Sequence, residues 1–258
     1  EEVGLPHKML PLMQVLEYLR AFLFGRLGWA PFNAVPIISG AFGAFRKEVV
    51  VEAGGFLSDT MGEDMELVMR LHRLNRLARR PYRIAFLINP ICWTAAPDSL
   101  GVLRKQRIRW QRGLGESLAR NRSLLFHVRG GAVGWLLFPF LVPFELLGPL
   151  VELGGYVFMV PGFVFGFISA PVFWSFMALA ACIGLLLSAS ALFLEELMCH
   201  VYKRPSHLVR LTAATLIENF GYHQLVLLWR LQGFWQWLVG APAHWGDMKR
   251  SASWQKDL

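Results

Sequence analysis

Residues 131–194 read GAVGWLLFPFLVPFELLGPLVELGGYVFMVPGFVFGFISAPVFWSFMALAACIGLLLSASALFL. The only charges in this stretch are Glu145 and Glu152, and no Lys or Arg occurs between Arg129 and Lys203. About 20 apolar residues cross a bilayer as a helix, so spans are predicted at about 133–156 and 172–195. Pro161 and Gly162 interrupt the run, leaving room for a third, short span between them. Residues 208–231 are a further candidate, polar in the middle at Glu218, Asn219, His223 and Gln224. Trp229, Trp235 and Trp237 fit an aromatic belt, and Lys203-Arg204 marks a cytoplasmic loop. The number of crossings stays open.

Working outward, the whole chain has 258 residues, 55% hydrophobic and 17% charged, with a mean hydropathy of +0.41. A soluble domain carries about a quarter charged residues. A disordered chain, a collagen-like chain and an ordinary soluble globule are all excluded. Nineteen of the 26 Lys and Arg and 11 of the 18 acids lie in residues 1–130, so the net charge of +8 sits wholly there. A basic water-facing portion followed by a membrane portion accounts for this better than nucleic-acid binding does. Cys92, Cys182 and Cys199 have neither pairing nor metal-ligand spacing and read as free buried thiols. The start, Glu1-Glu2-Val3-Gly4, lacks Met and is not a signal peptide; a fragment is expected.

The basic half mixes patterns. In residues 12–27 a wide apolar face opposes a narrow polar stripe of Gln14, Glu17 and Arg20. That is a helix, lying either in a membrane interface or in a core. Residues 39–45, small and apolar, read as a buried strand. Residues 47–53 read as a short helix closed by Gly54-Gly55. Residues 63–80 carry apolar residues and arginines at helical spacing. Residues 83–88 and 91–94 read as strands, with Asn89-Pro90 as a turn. Asp98 or Ser99 caps a basic helix running to about Asn121.

Two constellations carry chemistry. Gly62-Glu63-Asp64 opens a helix, where free N–H groups and the dipole favour an ionised acid. Such an acid is either a plain cap or a general base. Gln106-Arg107-Ile108-Arg109-Trp110 places 106, 109 and 110 on one helix face. That face offers an amide, a guanidinium that can clamp phosphate and an indole that can stack on a sugar. The alternative is a basic helix attracted to anionic lipid. Gly113 continues the stripe and leaves space above it. Glu145, Glu152 and Glu218 inside apolar segments either line a polar cavity or join helices by hydrogen bonds.

In this order, and with a membrane segment after them, these residues resemble the C-terminal half of the membrane-embedded family 2 glycosyltransferases, the cellulose, hyaluronan and poly-N-acetylglucosamine synthases. Gly62-Glu63-Asp64 matches the family's Thr/Glu-Asp motif, with Gly62 where Thr is usual. Gln106 to Trp110 is a complete Gln-x-x-Arg-Trp. Residues 39–46 resemble the acceptor-side strand. The resemblance implies a partial glycosyltransferase A-type α/β domain (1–130), an α-helical transmembrane bundle (131–240) and a polar tail (241–258). It implies catalysis at Asp64 beside Glu63, with Gln106 and Arg109 holding the donor diphosphate. Trp110, Ser39 and Gly40 would line the acceptor site.

The implied reaction is inverting transfer from a nucleotide sugar to a glycan or lipid acceptor at the cytoplasmic face of the plasma (inner) membrane. The family also places a divalent metal, Mg or Mn, on an Asp-x-Asp motif. The five Asp here, at 59, 64, 98, 247 and 257, have no such spacing. The donor-binding half is therefore expected to be missing, by truncation rather than by degeneration, and the isolated chain to be inactive. The rival expectation is a non-catalytic membrane receptor or assembly subunit on the same scaffold.

Overall fold

The computed structural model describes residues 4–88, 92, 94–202 and 204–242. The expected Asn89-Pro90 turn, much of the expected strand at 91–94, Lys203 and the tail from residue 243 onward lie outside them. The helices in chain order are α1 (Met9–Tyr18), α2 (Gly25–Trp29), α3 (Lys47–Glu52), α4 (Glu63–Leu77), α5 (Leu100–Arg120), α6 (Phe138–Phe140), α7 (Gly148–Val164), α8 (Ala170–Met198), α9 (Pro205–Ile217) and α10 (Tyr222–Leu238). A π-helical turn, Leu19–Phe24, joins α1 to α2, so residues 9–29 run as one helix. Ser99 caps α5, its hydroxyl accepting the Val102 N–H at 3.4 Å.

The α/β expectation is overturned, because the described residues contain no strand and no sheet. A strand needs a neighbouring ladder to satisfy its N–H and C=O groups. Here side chains do that work. Asn33, in left-handed conformation at φ 47°, accepts the Ile84 N–H and donates to the Tyr82 carbonyl, both at 2.9 Å. His72, fully buried, bridges the Val35 carbonyl at 3.0 Å and the Tyr82 hydroxyl at 2.6 Å. Burial pushes its pKa down to about 4, because an imidazolium there would lose its water. Residues 39–42 instead form a turn, the Phe42 N–H donating to the Ser39 carbonyl at 3.1 Å, and segment 83–88 runs without a ladder, tied down one group at a time.

The apolar stretch breaks where prolines fall. Pro139 and Pro143 lack an N–H and clash with the carbonyl a turn back. The chain widens into π turns at Val133–Leu137 and Leu141–Leu146. It then bends by 41° into α7, which runs on through Pro161. One described helix, α8, is long and apolar enough to cross a membrane; the bent pair would be a second if it counts as one span. The candidate at 208–231 is not one helix. It breaks between α9 and α10 at Gly221, φ 91°.

Trp237 and Trp229 pack into buried clusters, leaving Trp235 exposed. Cys92 and Cys182 are exposed rather than buried. The main core joins Met65, Met69, Leu118 and Leu124 to Val133, Leu137, Phe138 and Phe234, so it crosses residue 130.

The polar stripe of the first helix points into the protein. Gln14 is fully buried and donates to the Pro97 carbonyl at 2.7 Å. Glu17 pairs with Arg107 and accepts the Tyr222 hydroxyl at 2.6 Å. Arg20 pairs with Glu218, which also takes the Ser188 hydroxyl. Glu145 meets Arg230 at 3.2 Å and Glu152 meets His223 at 2.9 Å. The acids inside apolar segments are therefore helix-to-helix ties.

Candidate active site

The site forms where α4 starts against the middle of α5. Glu63, Asp64 and Glu66 occupy the first turn of α4, where free N–H groups and the positive dipole end favour carboxylates. Asp64 Oδ1 accepts the Met65 N–H at 2.8 Å. Its Oδ2 accepts the Gly40 N–H at 3.0 Å, so two residues 24 apart in sequence meet directly. Each oxygen keeps a further lone pair, and the carboxylate can still accept a proton. Ser39 lies in the same turn, with its hydroxyl accepting the Ala41 N–H at 3.4 Å.

Two glycines set the approach of the helices. A Cβ on Gly113 would lie 2.8 Å from the Gly62 Cα and N, and a Cβ on Gly62 would lie 3.0 Å from the Gly113 Cα. The space expected above Gly113 is filled by the Gly62 backbone. Gly113 stands three and four residues beyond Trp110 and Arg109, so all three share one face of α5. Glu116 clamps the same junction. One carboxylate oxygen accepts the Thr60 hydroxyl at 2.9 Å and the Met61 N–H at 2.7 Å, and the other accepts Arg112 Nε at 2.7 Å.

The expected residues fall into two groups. Asp64, Gly40 and Ser39 share the α4 end, with Glu63 alongside. Burial raises the Glu63 pKa, against a backbone hydrogen bond that lowers it, with smaller opposing effects of the Asp64 and Arg109 charges. Gln106 and Trp110 lean on the first helix instead. Gln106 lies near the Tyr18 phenol, and its Oε1 is buried without a hydrogen-bond partner among the described residues. The Trp110 ring, 37% exposed, lies 6.2 Å from the Tyr18 ring and 6.0 Å from the Phe22 ring, with the Arg107 guanidinium 4.6 Å over it.

One residue escaped the sequence reading. Arg26, 7% exposed, lies with its guanidinium 4.5 Å over the Phe22 ring. Its Nε and Nη2 have no hydrogen-bond partner among the described residues. Burial lowers its pKa to about 10, and the Asp64 charge holds it up. A buried guanidinium with unpaired N–H groups is costly unless a ligand completes it. The available signal was a lone arginine among Leu23, Phe24 and Leu27.

The site therefore presents a carboxylate, guanidinium donors and an aromatic wall. Among the described residues no three His, Cys, Asp or Glu side chains gather to hold a metal ion, so these residues do not fit the divalent ion that the resemblance implies.

No solved structure matches the chain significantly. Poly-beta-1,6-N-acetyl-D-glucosamine synthase of Staphylococcus aureus strain COL is 39% identical over 89 residues, 34% of this chain and 20% of that protein. The synthase of the same name from Staphylococcus epidermidis is 29% identical over 109 residues, 42% of this chain and 25% of that protein. The chain thus matches a quarter or less of these relatives' length. A family model described as glycosyl transferase family group 2 matches residues 15–237, most of the chain, and the chain belongs to that family.

Proposed function

We propose that this chain forms the acceptor-side and membrane-anchoring part of an inverting glycosyltransferase that uses a nucleotide sugar. The observation that carries this reading is Asp64, held by the Gly40 N–H at the start of α4, where the Gly62–Gly113 contact seats that end against the helix carrying the Gln-x-x-Arg-Trp motif.

Asp64 takes the proton of an acceptor hydroxyl. The hydroxyl oxygen bonds to C1 of the donor sugar as the bond from C1 to the diphosphate oxygen breaks, and attack from the opposite face gives a β-linkage. A sugar hydroxyl is a poor nucleophile, and a positioned base contributes about 10²–10⁴ in rate. Arg109, Gln106 and Arg26 supply donors for the charge that develops on the leaving diphosphate. Trp110, with Tyr18 and Phe22 behind it, offers an apolar surface to the acceptor ring. The names of the relatives favour N-acetylglucosamine as the transferred sugar.

Residues 1–130 are the catalytic portion on the cytoplasmic face, and the apolar helices from 131 to 240 are the anchor in the inner membrane. Wide exposure of α7 and α8, at Val151, Phe158, Trp174, Leu186 and Phe193, supports lipid contact. Metal binding and the rest of donor recognition belong to residues outside those described.

The test uses the intact protein in membranes with a panel of labelled nucleotide sugars. Label from nucleotide-activated N-acetylglucosamine should enter a β-linked product. An α-linked product, or no transfer from any donor, would overturn the proposal.

A further inference from the structure

A second site stands apart from the catalytic one. Where α4 ends, an open cleft of about 370 Å³ is lined by Arg76, Arg79, Arg80, Arg129, Asn75 and Tyr82 among others, with no acid in the lining. Glu52 pairs with Arg80 from outside, which leaves a local charge of three. Arg76 is held in place. Its Nε donates to the Tyr82 hydroxyl at 2.9 Å and its Nη2 to the Asn33 carbonyl at 3.2 Å. Arg129 donates to the Leu77 carbonyl at 3.1 Å, the last residue of α4. The helix dipole accounts for cations at this end. It does not account for four guanidiniums around one opening.

The setting names the ligand class. The Arg76 guanidinium packs against Gly131, the first residue of the apolar stretch. Next to Arg129 in sequence, Val128 is 90% exposed, and Phe126 and Trp135 meet edge to face at 5.3 Å, 55% and 51% exposed. The cleft thus has a cationic floor, and the segment that supplies Arg129 also presents exposed apolar side chains at the foot of the first apolar helix. A soluble anion needs only the floor. We propose that the cleft binds the phosphate of an anionic phospholipid headgroup, the guanidiniums taking the phosphate oxygens and these apolar side chains lying among the acyl chains.

The experiment is a binding titration of the intact protein in neutral detergent with phosphatidylglycerol against phosphatidylcholine, read by native mass spectrometry. Phosphatidylglycerol should bind preferentially. Each near-surface cation removed should weaken it about fivefold. Arg79→Gln with Arg129→Gln should thus cost more than tenfold, whereas Arg46→Gln with Lys47→Gln, exposed positions of equal charge, should change it less than about twofold. Arg79→Gln alone, at an exposed surface residue, gives a milder variant should the double one fold poorly. Equal losses in both pairs, or none in the cleft pair, would overturn the proposal. So would displacement of the lipid by an equal concentration of inorganic phosphate, which would assign the cleft to a soluble anion.

Discussion

Half-buried Asp64 and buried Arg26 illustrate opposite ways for a charge to be held. Asp64 is satisfied by backbone N–H groups on both oxygens, whereas Arg26 rests on an aromatic ring with Nε and Nη2 unpaired. If Arg26 serves the leaving diphosphate, Arg26→Met should lower transfer by about 10²-fold, the usual cost of removing one electrostatic donor. The same change relieves a desolvated, unpaired guanidinium. The thermal midpoint should therefore hold or rise, as read by unfolding in detergent. Loss of activity together with a clear fall in midpoint would make Arg26 a structural residue. At this scale the motifs were legible because Gly62-Glu63-Asp64 and Gln106 to Trp110 are local patterns. Arg26 was not, because nothing in sequence places residue 26 beside residue 64.

The decisive contact between elements is α4 on α5 at Gly62 and Gly113. Gly113→Ala would set a Cβ 2.8 Å from backbone atoms of Gly62, where no side chain can move aside. A cost of about 1–3 kcal/mol is expected from overpacking. Transfer should fall with it, since the start of α4 is pushed away from α5. Gly101, in the first turn of the same helix, has open space around it, and Gly101→Ala should be neutral or stabilising by up to about 1 kcal/mol. Thermal midpoints of the two variants check this; equal effects would remove the packing role from Gly113. Helices such as α4 and α5 were legible from caps and apolar spacing. The strands expected at 39–45 and 83–88 did not form, because a strand depends on a partner that its own residues do not specify. The break at Gly221 falls in the polar middle of 208–231, where Glu218, Asn219, His223 and Gln224 marked the place but not the left-handed glycine that ends one helix and starts the next.

Over the whole molecule, the +8 charge confined to residues 1–130 divides among several uses. Arg70 closes loop carbonyls at Ala53 and Gly55, Arg107 ties α5 to Glu17 of the first helix, and Arg112 holds Glu116 and the Ala241 and Pro242 carbonyls. Arg26 and Arg109 belong to the proposed catalytic end, and four arginines ring the cleft beside the apolar stretch. The division at residue 130 was read from charge, yet packing crosses it, with Phe138 and Phe234 in one core with Met69. The helices that carry the candidate site, α4 and α5, are therefore seated directly on the first apolar segment. All of this converges on one carboxylate. The most direct measurement is sugar transfer by the intact protein carrying Asp64→Asn, which preserves shape and can still accept the Gly40 N–H. Transfer should fall by about 10²–10⁴ with membrane insertion unchanged. Transfer at the wild-type rate would contradict the assignment of Asp64 as the base.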